Sequence, residues 1–316
     1  MTGTGVLHQD VKPATLGVVR AAVFFMWLVV VLPDRLSFLA ELPPGMNHPL
    51  GIFGLVPGEA WRRLLEPGTV GAFKAVLVGL LVLSAVGMRP YRPIAATTAA
   101  LLTVHQALLR GFTFDNHEEL GLLICTYVLV LFPAADGFAW PRRRAPSSPP
   151  GVYSAALLAM AGLLLLPYAG IAAHRLAFAA PGVFLGDSLP AWIASLHALD
   201  RDGSGFGLWL LGHPALVPVL KAGFVVTTIF ELFAPLCLVM PRFRRAWIAV
   251  VVSFHVLNWF TLNLFFWQNA LLVLLVVSDT EAWVSRVRRS LQALTRRQPV
   301  VNTTRSATVD TGRAIQ

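Results

Sequence analysis

Apolar residues in this chain are gathered into long runs rather than alternating with polar residues. A helix needs roughly 20 apolar residues to cross the hydrocarbon core of a bilayer, and several of the runs approach that length. Short stretches rich in Arg, Pro and Gly separate them. The pattern predicts eight membrane-spanning helices, over residues 15–32, 70–88, 93–110, 117–133, 153–173, 215–239, 245–261 and 262–278.

Composition supports this class and excludes several others. Of the 316 residues, 56% are apolar and only 13% are charged, and the mean hydropathy is +0.68. A soluble domain has about 45–50% apolar and about 25% charged residues, so a soluble enzyme, a disordered chain and a disulfide scaffold are all excluded. We predict an all-α, polytopic membrane helix bundle over residues 15–280, with a short tail at 1–14 and a basic tail at 281–316.

The distribution of cationic residues predicts the orientation of the bundle. If the N terminus lies in the cytoplasm, the eight spans place 17 of the 25 Lys and Arg residues on the inner side and 8 on the outer side. This bias follows the positive-inside rule. We therefore expect a multi-pass protein of the cell membrane with both termini in the cytoplasm. The net charge of +9 then indicates membrane lipids, and not nucleic acid, as the charged partner.

Two further features bear on fold and chemistry. The first long outer loop, residues 33–69, predicts an interfacial helix over 58–66 with Trp61 as its aromatic anchor. Cys125 and Cys237 lie inside apolar runs, so we expect two small buried residues and no disulfide. The histidines are scattered, and no spacing typical of a metal site occurs.

A polar cluster at 114–119 is the strongest local signal for function. It precedes only 13 apolar residues, which are too few to span a bilayer, so the cluster is expected near the outer membrane boundary. In a functional interpretation His117 transfers a proton, Asn116 orients a substrate and Glu118 binds it. In a structural interpretation the cluster starts a helix, with Asp115 or Asn116 as cap and Glu118 and Glu119 facing the helix dipole.

Other ionisable residues lie within or beside the predicted spans. Glu231 and His255 fall at similar depth in neighbouring spans, so a hydrogen bond between them is possible. It would serve either as a proton relay with substrate contacts or as a structural clasp between the helices. At the outer end of the fifth span, His174 and Arg175 either face the same cavity as His117 or anchor the helix at the interface.

Five features recur together along the chain: Arg20 with Asp34-Arg35, Asn116-His117 with Leu120, Tyr168-Ala169-Gly170 with His174-Arg175-Leu176 and Gly186, Glu231 with Pro235, and Phe254-His255 with Asn263. In order and spacing they resemble the horizontally transferred transmembrane (HTTM) domain family, which includes the membrane part of vitamin K-dependent gamma-carboxylase. The resemblance covers about residues 15–280. It implies a carboxylase-like protein that acts at the outer leaflet on a lipophilic, quinone-like molecule or in the maturation of a secreted peptide.

The hypothesis of an enzyme or maturation factor at the outer leaflet assigns roles to individual residues. His117 is the expected acid–base residue, Asn116 orients the substrate and Arg175 holds an anion, while His174 is a further catalytic candidate. Glu118, Glu231 and His255 are expected to contact the substrate. The carboxylases carry a lysine base at the step occupied here by Arg175. Arginine stays protonated and cannot act as that base, which leaves His174 or Lys221 as candidates.

Two other functions fit the same polar residues. A proton-coupled transporter uses Glu231, His255 and His105 near the middle of the membrane, although the inverted repeats typical of transporters are not evident in the sequence. A non-catalytic membrane scaffold uses the polar groups only for bonds between helices.

Overall fold

The computed structural model describes residues 7–49, 51–112, 118–141, 147–179, 181–199, 205–264 and 266–296. Across those ranges the regular structure is helical, without a β-strand. The α-helices are α1 (Pro13–Val31), α2 (Gly58–Leu64), α3 (Pro67–Val86), α4 (Tyr91–Arg110), α5 (Leu120–Leu131), α6 (Pro150–His174), α7 (Ser188–Leu199), α8 (Phe206–Leu211), α9 (Val217–Leu232), α10 (Pro241–Leu262), α11 (Trp267–Leu272) and α12 (Thr280–Arg296). The chain divides into a large unit that ends at Glu281 and a smaller one from Ala282 onward.

Five helical segments are long and apolar enough to cross a membrane: α1, α3, α6 with its continuation to Ala179, α9 with the turn from Pro214, and α10. The predicted all-helical membrane fold is confirmed at this level. Each of the other three predicted spans overlaps a helix that falls short. α5 and the apolar stretch Trp267–Val277 are shorter. α4 has 20 residues, but its Thr, His, Gln and Arg side chains reduce its hydropathy.

Proline and a left-handed residue set several helix boundaries. Proline occupies the first helical position of α1, α3, α6 and α10, where the missing N–H has no partner to lose. α3 ends at Gly87 (φ +69°) and α10 ends at Asn263 (φ +54°). Gly and Asn tolerate this conformation better than other residues, so both ends are encoded locally.

Arg20, in the middle of α1, links several elements at one end of the bundle through hydrogen bonds. Its side chain is completely buried and donates hydrogen bonds to the carbonyl oxygens of Ala134 at 2.8 Å, Ala85 at 3.1 Å and Phe138. Carbonyls at helix C-termini have no partner within the helix and carry partial negative charge. One guanidinium therefore satisfies acceptors at the end of α3 and in the turn after α5. A Cβ at Gly87 would lie 2.4 Å from Arg20 Nη1, which restricts that position to glycine.

Residues before α1 reach the same end of the bundle. His8 Nε2 donates to the carbonyl of Val276 at 2.6 Å. Lys12 Nζ lies 3.2 Å from Glu281 Oε1. The segment directly before α1 is thus held against the end of the last apolar stretch by His8 and Lys12.

A helix, α2, is present where the sequence predicts an interfacial one, but its expected anchor is not at the surface. Trp61 is only 6% exposed and packs in a cluster with Leu36 and Leu108. Its indole N–H donates to the carbonyl of Phe53 at 3.2 Å. The prediction of Trp61 as an exposed membrane anchor is therefore wrong, because the turn that begins at Leu36 folds back and covers the ring.

We expect Arg20→Met to lower the stability of the protein by about 3 kcal/mol or more, since several buried carbonyls lose their donor at once. Thermal unfolding of the purified protein in detergent measures the change. Arg92→Met, at an exposed position near the start of α4, makes the same substitution without that loss and serves as the control. Equal unfolding temperatures for the two variants contradict the role given to Arg20.

Candidate functional site

A cavity of about 480 Å³ lies among α5, α6, α7, α9, α10 and α11. This volume is within the range of small-molecule binding sites, roughly 300–1,000 Å³. Most of the lining is aliphatic or aromatic. The polar lining residues are Tyr168, Arg175, Ser195, Glu231, His255, Asn258 and Asn269. The cavity therefore suits a largely apolar ligand that carries a few polar atoms.

An ion pair between Arg175 and Glu231 forms one polar part of the wall. Arg175 Nη1 lies 2.7 Å from Glu231 Oε2 and donates also to Thr228 Oγ1 at 2.9 Å. The guanidinium sits over the ring of Phe224, 4.6 Å from its centroid. Phe224, Thr228 and Glu231 follow at four- and three-residue spacing, which places them on one face of α9. Arg175 itself starts a wider helical turn, Arg175–Ala179, at the end of α6.

The pair leaves part of the guanidinium free to bind a ligand. Among the described residues, both hydrogen bonds of Arg175 use the single nitrogen Nη1. A guanidinium carries five N–H donors, so the groups on Nε and Nη2 remain available. The side chain of Arg175 is 16% exposed and that of Glu231 is 4% exposed, and both residues line the cavity.

A second polar pair joins α6 to α10. Tyr168 Oη and His255 Nε2 are 2.9 Å apart, and the Tyr168 ring packs edge-on against Trp247 with centroids 5.3 Å apart. Nδ1 of His255 is buried without a hydrogen-bond partner among the described residues. Because each imidazole nitrogen can hold or release a proton, this pair can transfer a proton to or from a ligand.

Aromatic rings connect the two polar pairs. The ring of Phe224, which contacts Arg175, lies 5.9 Å from that of Phe254. Phe254 and Phe266 lie 5.9 Å and 5.8 Å from the imidazole of His255. Ring pairs at this spacing are favourable in offset or tilted geometry, and the same surface suits a flat ring in the ligand.

One contact with the end of α10 positions α7 beside the cavity. Asn263 Nδ2 donates to His197 Nδ1 at 2.8 Å, and His197 Nε2 donates to the carbonyl of Thr261 at 3.1 Å. A Cβ at Gly207 would lie 2.1 Å from His197 Nε2, so α8 approaches closely as well. The contact fixes α7, whose Trp192 lines the cavity.

The structure brings together three of the residues singled out from the sequence: Arg175, Glu231 and His255. The predicted hydrogen bond between Glu231 and His255 is not found, because Glu231 pairs with Arg175 and His255 pairs with Tyr168. His174 is exposed and packs against Phe178, with ring centroids 4.9 Å apart. It does not line the cavity.

The remaining predicted residues lie elsewhere or outside the described ranges. Glu118 is half-buried and is not a lining residue. Asn116 and His117 lie outside the described residues, so their roles stay predictions. Lys221 Nζ lies 3.8 Å from Asp187 Oδ1, away from the cavity lining.

His105 does not join Glu231 and His255, as the transporter hypothesis expects. It is fully buried in α4, and its Nε2 lies 3.0 Å from Asp34 Oδ2. It is not a lining residue of the cavity. The three groups that a carrier was expected to combine are therefore divided between two places, one at the cavity and one beside Asp34.

Some cavity residues were not singled out from the sequence. The sequence does not predict Thr228 and Phe224 as site residues, although their spacing from Glu231 puts all three on one helix face. Tyr168 enters the prediction only as part of a motif. The signal available was the helical spacing of polar residues within two apolar runs, seven residues from Tyr168 to Arg175 and three from Thr228 to Glu231.

No protein-family model matches the chain, and no curated protein or solved structure matches it either. The resemblance to the HTTM family therefore stays a prediction from sequence motifs.

Arg175→Met is expected to destabilise the protein by about 3–5 kcal/mol, because it leaves the buried Glu231 carboxylate without its partner. Glu231→Met should cost a similar amount, whereas the double variant should recover most of the loss, since neither charge then remains. Chemical unfolding in detergent measures all three. Arg63→Met, in an exposed ion pair with Glu59, is the control and should change stability by less than about 1 kcal/mol. Additive losses in the double variant contradict direct pairing.

Proposed function

We propose that this chain is a multi-pass membrane protein that binds a lipophilic molecule in the cavity and acts on it at the outer leaflet. By its family resemblance the molecule is quinone-like and the activity is carboxylase-like or serves the maturation of a secreted peptide. The observation that carries the proposal is the apolar cavity with two buried polar pairs in its wall.

The proposed topology has eight spans, with both termini in the cytoplasm. Contacts within the large unit support alternation of the helices. At the end that holds the beginning of α1, Trp140 N donates to the carbonyl of Val86 at 3.1 Å. At the opposite end, His48 N donates to the carbonyl of Gly111 at 2.7 Å. In this topology the second end is the outer side, and Arg175 at the end of α6 brings the cavity toward it.

Charge balance favours a neutral ligand head. The sequence predicts that Arg175 holds an anion, but its charge is already balanced by Glu231. An added anion would bring an unbalanced charge into an apolar cavity, at a high desolvation cost. A carbonyl oxygen can instead accept hydrogen bonds from Nε or Nη2 of Arg175 without changing the net charge. A quinone-like ring carries such oxygens on a flat apolar body.

The Tyr168–His255 pair supplies the group that transfers a proton. A carbonyl or hydroxyl oxygen near His255 can exchange a proton with the imidazole, while Tyr168 holds one ring nitrogen at 2.9 Å and fixes the orientation of the ring. The aromatic rings between the pairs hold the flat ligand across the cavity. In this proposal Arg175 binds the ligand and His255 transfers the proton, and His117 and Asn116 retain their predicted roles.

Filling the cavity should remove a bound lipophile. Ile171 lines the cavity and is 39% exposed, so Ile171→Trp adds volume there without replacing a buried core residue. We expect lipophilic molecules that co-purify with the wild-type protein to be depleted in this variant, as measured by mass spectrometry of organic extracts. Leu166→Trp, on the same helix but outside the lining, is the control. Equal amounts in both variants contradict binding in this cavity.

Glu231→Gln should shift the ligand preference from the neutral quinone toward an anion. The wild-type protein is expected to bind a decyl-substituted benzoquinone more tightly than laurate. Removing the counter-charge of Arg175 should raise the affinity for laurate by at least about tenfold, whereas quinone affinity should stay within about threefold. Isothermal titration in detergent measures both probes.

Two checks accompany this test. Glu59→Gln removes an exposed carboxylate on α2 and should change neither affinity. Thermal unfolding establishes that Glu231→Gln is folded. A wild-type preference for laurate, or an unchanged laurate affinity in folded Glu231→Gln, contradicts the proposed charge balance. Binding of neither probe to any variant counts against a lipophile site altogether.

A further inference from the structure

The last described helix begins at a fixed point of the large unit. After the apolar stretch ends at Val277, Thr280 Oγ1 donates to the carbonyl of Leu275 at 2.5 Å. Glu281 accepts a hydrogen bond from Thr15 Oγ1 at 2.5 Å and pairs with Lys12. α12 therefore starts directly beside the end of an apolar segment and beside the first residues of α1.

The sequence of α12 is strongly amphipathic. Apolar residues occur at 283, 284, 287, 291 and 294. At 3.6 residues per turn these positions fall within an arc of about 100°. Arg286 and Arg288 fall on either side of that arc, and Arg289 and Arg296 fall on the opposite face. Between residues 282 and 296 the sequence has four arginines and no Asp or Glu.

We propose that the apolar face of α12 binds the surface of an anionic lipid bilayer. An amphipathic helix with an apolar stripe and flanking arginines lies in the headgroup region of such a bilayer, where its cations contact lipid phosphates. Val287 is 50% exposed, whereas Val284 is 9% exposed, so the face is open at Val287 but not at Val284. The inference concerns a surface separate from the cavity and holds whatever ligand the cavity takes.

Charge decides between a lipid surface and a second copy of this chain. Two copies of α12 would bring eight arginines together with no acidic residue in either 282–296 segment, which is unfavourable. Anionic headgroups supply the opposite charge. The start of α12 follows directly on the apolar stretch Trp267–Val277 along the chain.

A fluorescent label tests the proposal on the full-length protein. Val287→Cys is labelled with an environment-sensitive dye, since Cys125 and Cys237 are buried. The protein is placed in nanodiscs of phosphatidylcholine alone or with phosphatidylglycerol. We expect the emission to shift to shorter wavelength only with phosphatidylglycerol and to return at high salt. The matched control is Gln292→Cys, about 140° around the helix axis from position 287, which should show a much smaller shift.

Replacing Arg286 and Arg288, which flank the apolar arc, with Gln should weaken association with the anionic surface by roughly 25-fold, since each cation contributes about fivefold. The emission of the labelled double variant in phosphatidylglycerol then shifts toward that of the parent in phosphatidylcholine. Equal emission in both lipid compositions, or equal shifts at 287 and 292, overturns the proposal. A blue shift that appears in lipid-free detergent and grows with protein concentration also overturns the proposal, because it indicates self-association.

Discussion

A buried polar group in apolar surroundings needs a partner within the chain, and the bundle depends most visibly on Arg20 for this. Water and lipid tails offer a completely buried guanidinium nothing to bind, so its Nη groups donate to the carbonyl of Ala85 at the end of α3 and to that of Ala134 in the turn after α5. The carbonyl of Ala85 is itself left over by helix geometry. The buried guanidinium and the unpaired carbonyls come from different parts of the sequence, and each satisfies the hydrogen bonds of the other. The packing of α1, α3 and α5 follows from these hydrogen bonds.

The same constraint gives the cavity its chemical character. Arg175 and Glu231 are both largely buried, where a charge without a counter-charge is costly, so they pair. Pairing cancels their charge and leaves hydrogen-bond donors on one edge of the guanidinium. The wall of the cavity consequently offers hydrogen-bond donors and acceptors but no net charge. A ligand that fits this environment has a flat apolar body and uncharged oxygens.

Connections outside the main helices complete the site. The segment between α6 and α9 is long, and it returns to the bundle through α7, which His197 fastens to the end of α10. Without that contact the cavity would lack the wall that contains Trp192. The loop that contains α2 does not form part of the cavity. Its Trp61 is covered by protein and contributes to a separate apolar cluster.

Local sequence determined the helical class, most helix positions and the existence of polar groups at membrane depth. Apolar runs, prolines at helix starts and a left-handed Gly or Asn at helix ends act over a few residues, so they can be recognised without a structure. The pairs that define the cavity join residues 56 and 87 positions apart. Only tertiary packing decides them, because a partner depends on how each helix is rotated and how deep it lies, and an apolar run specifies neither.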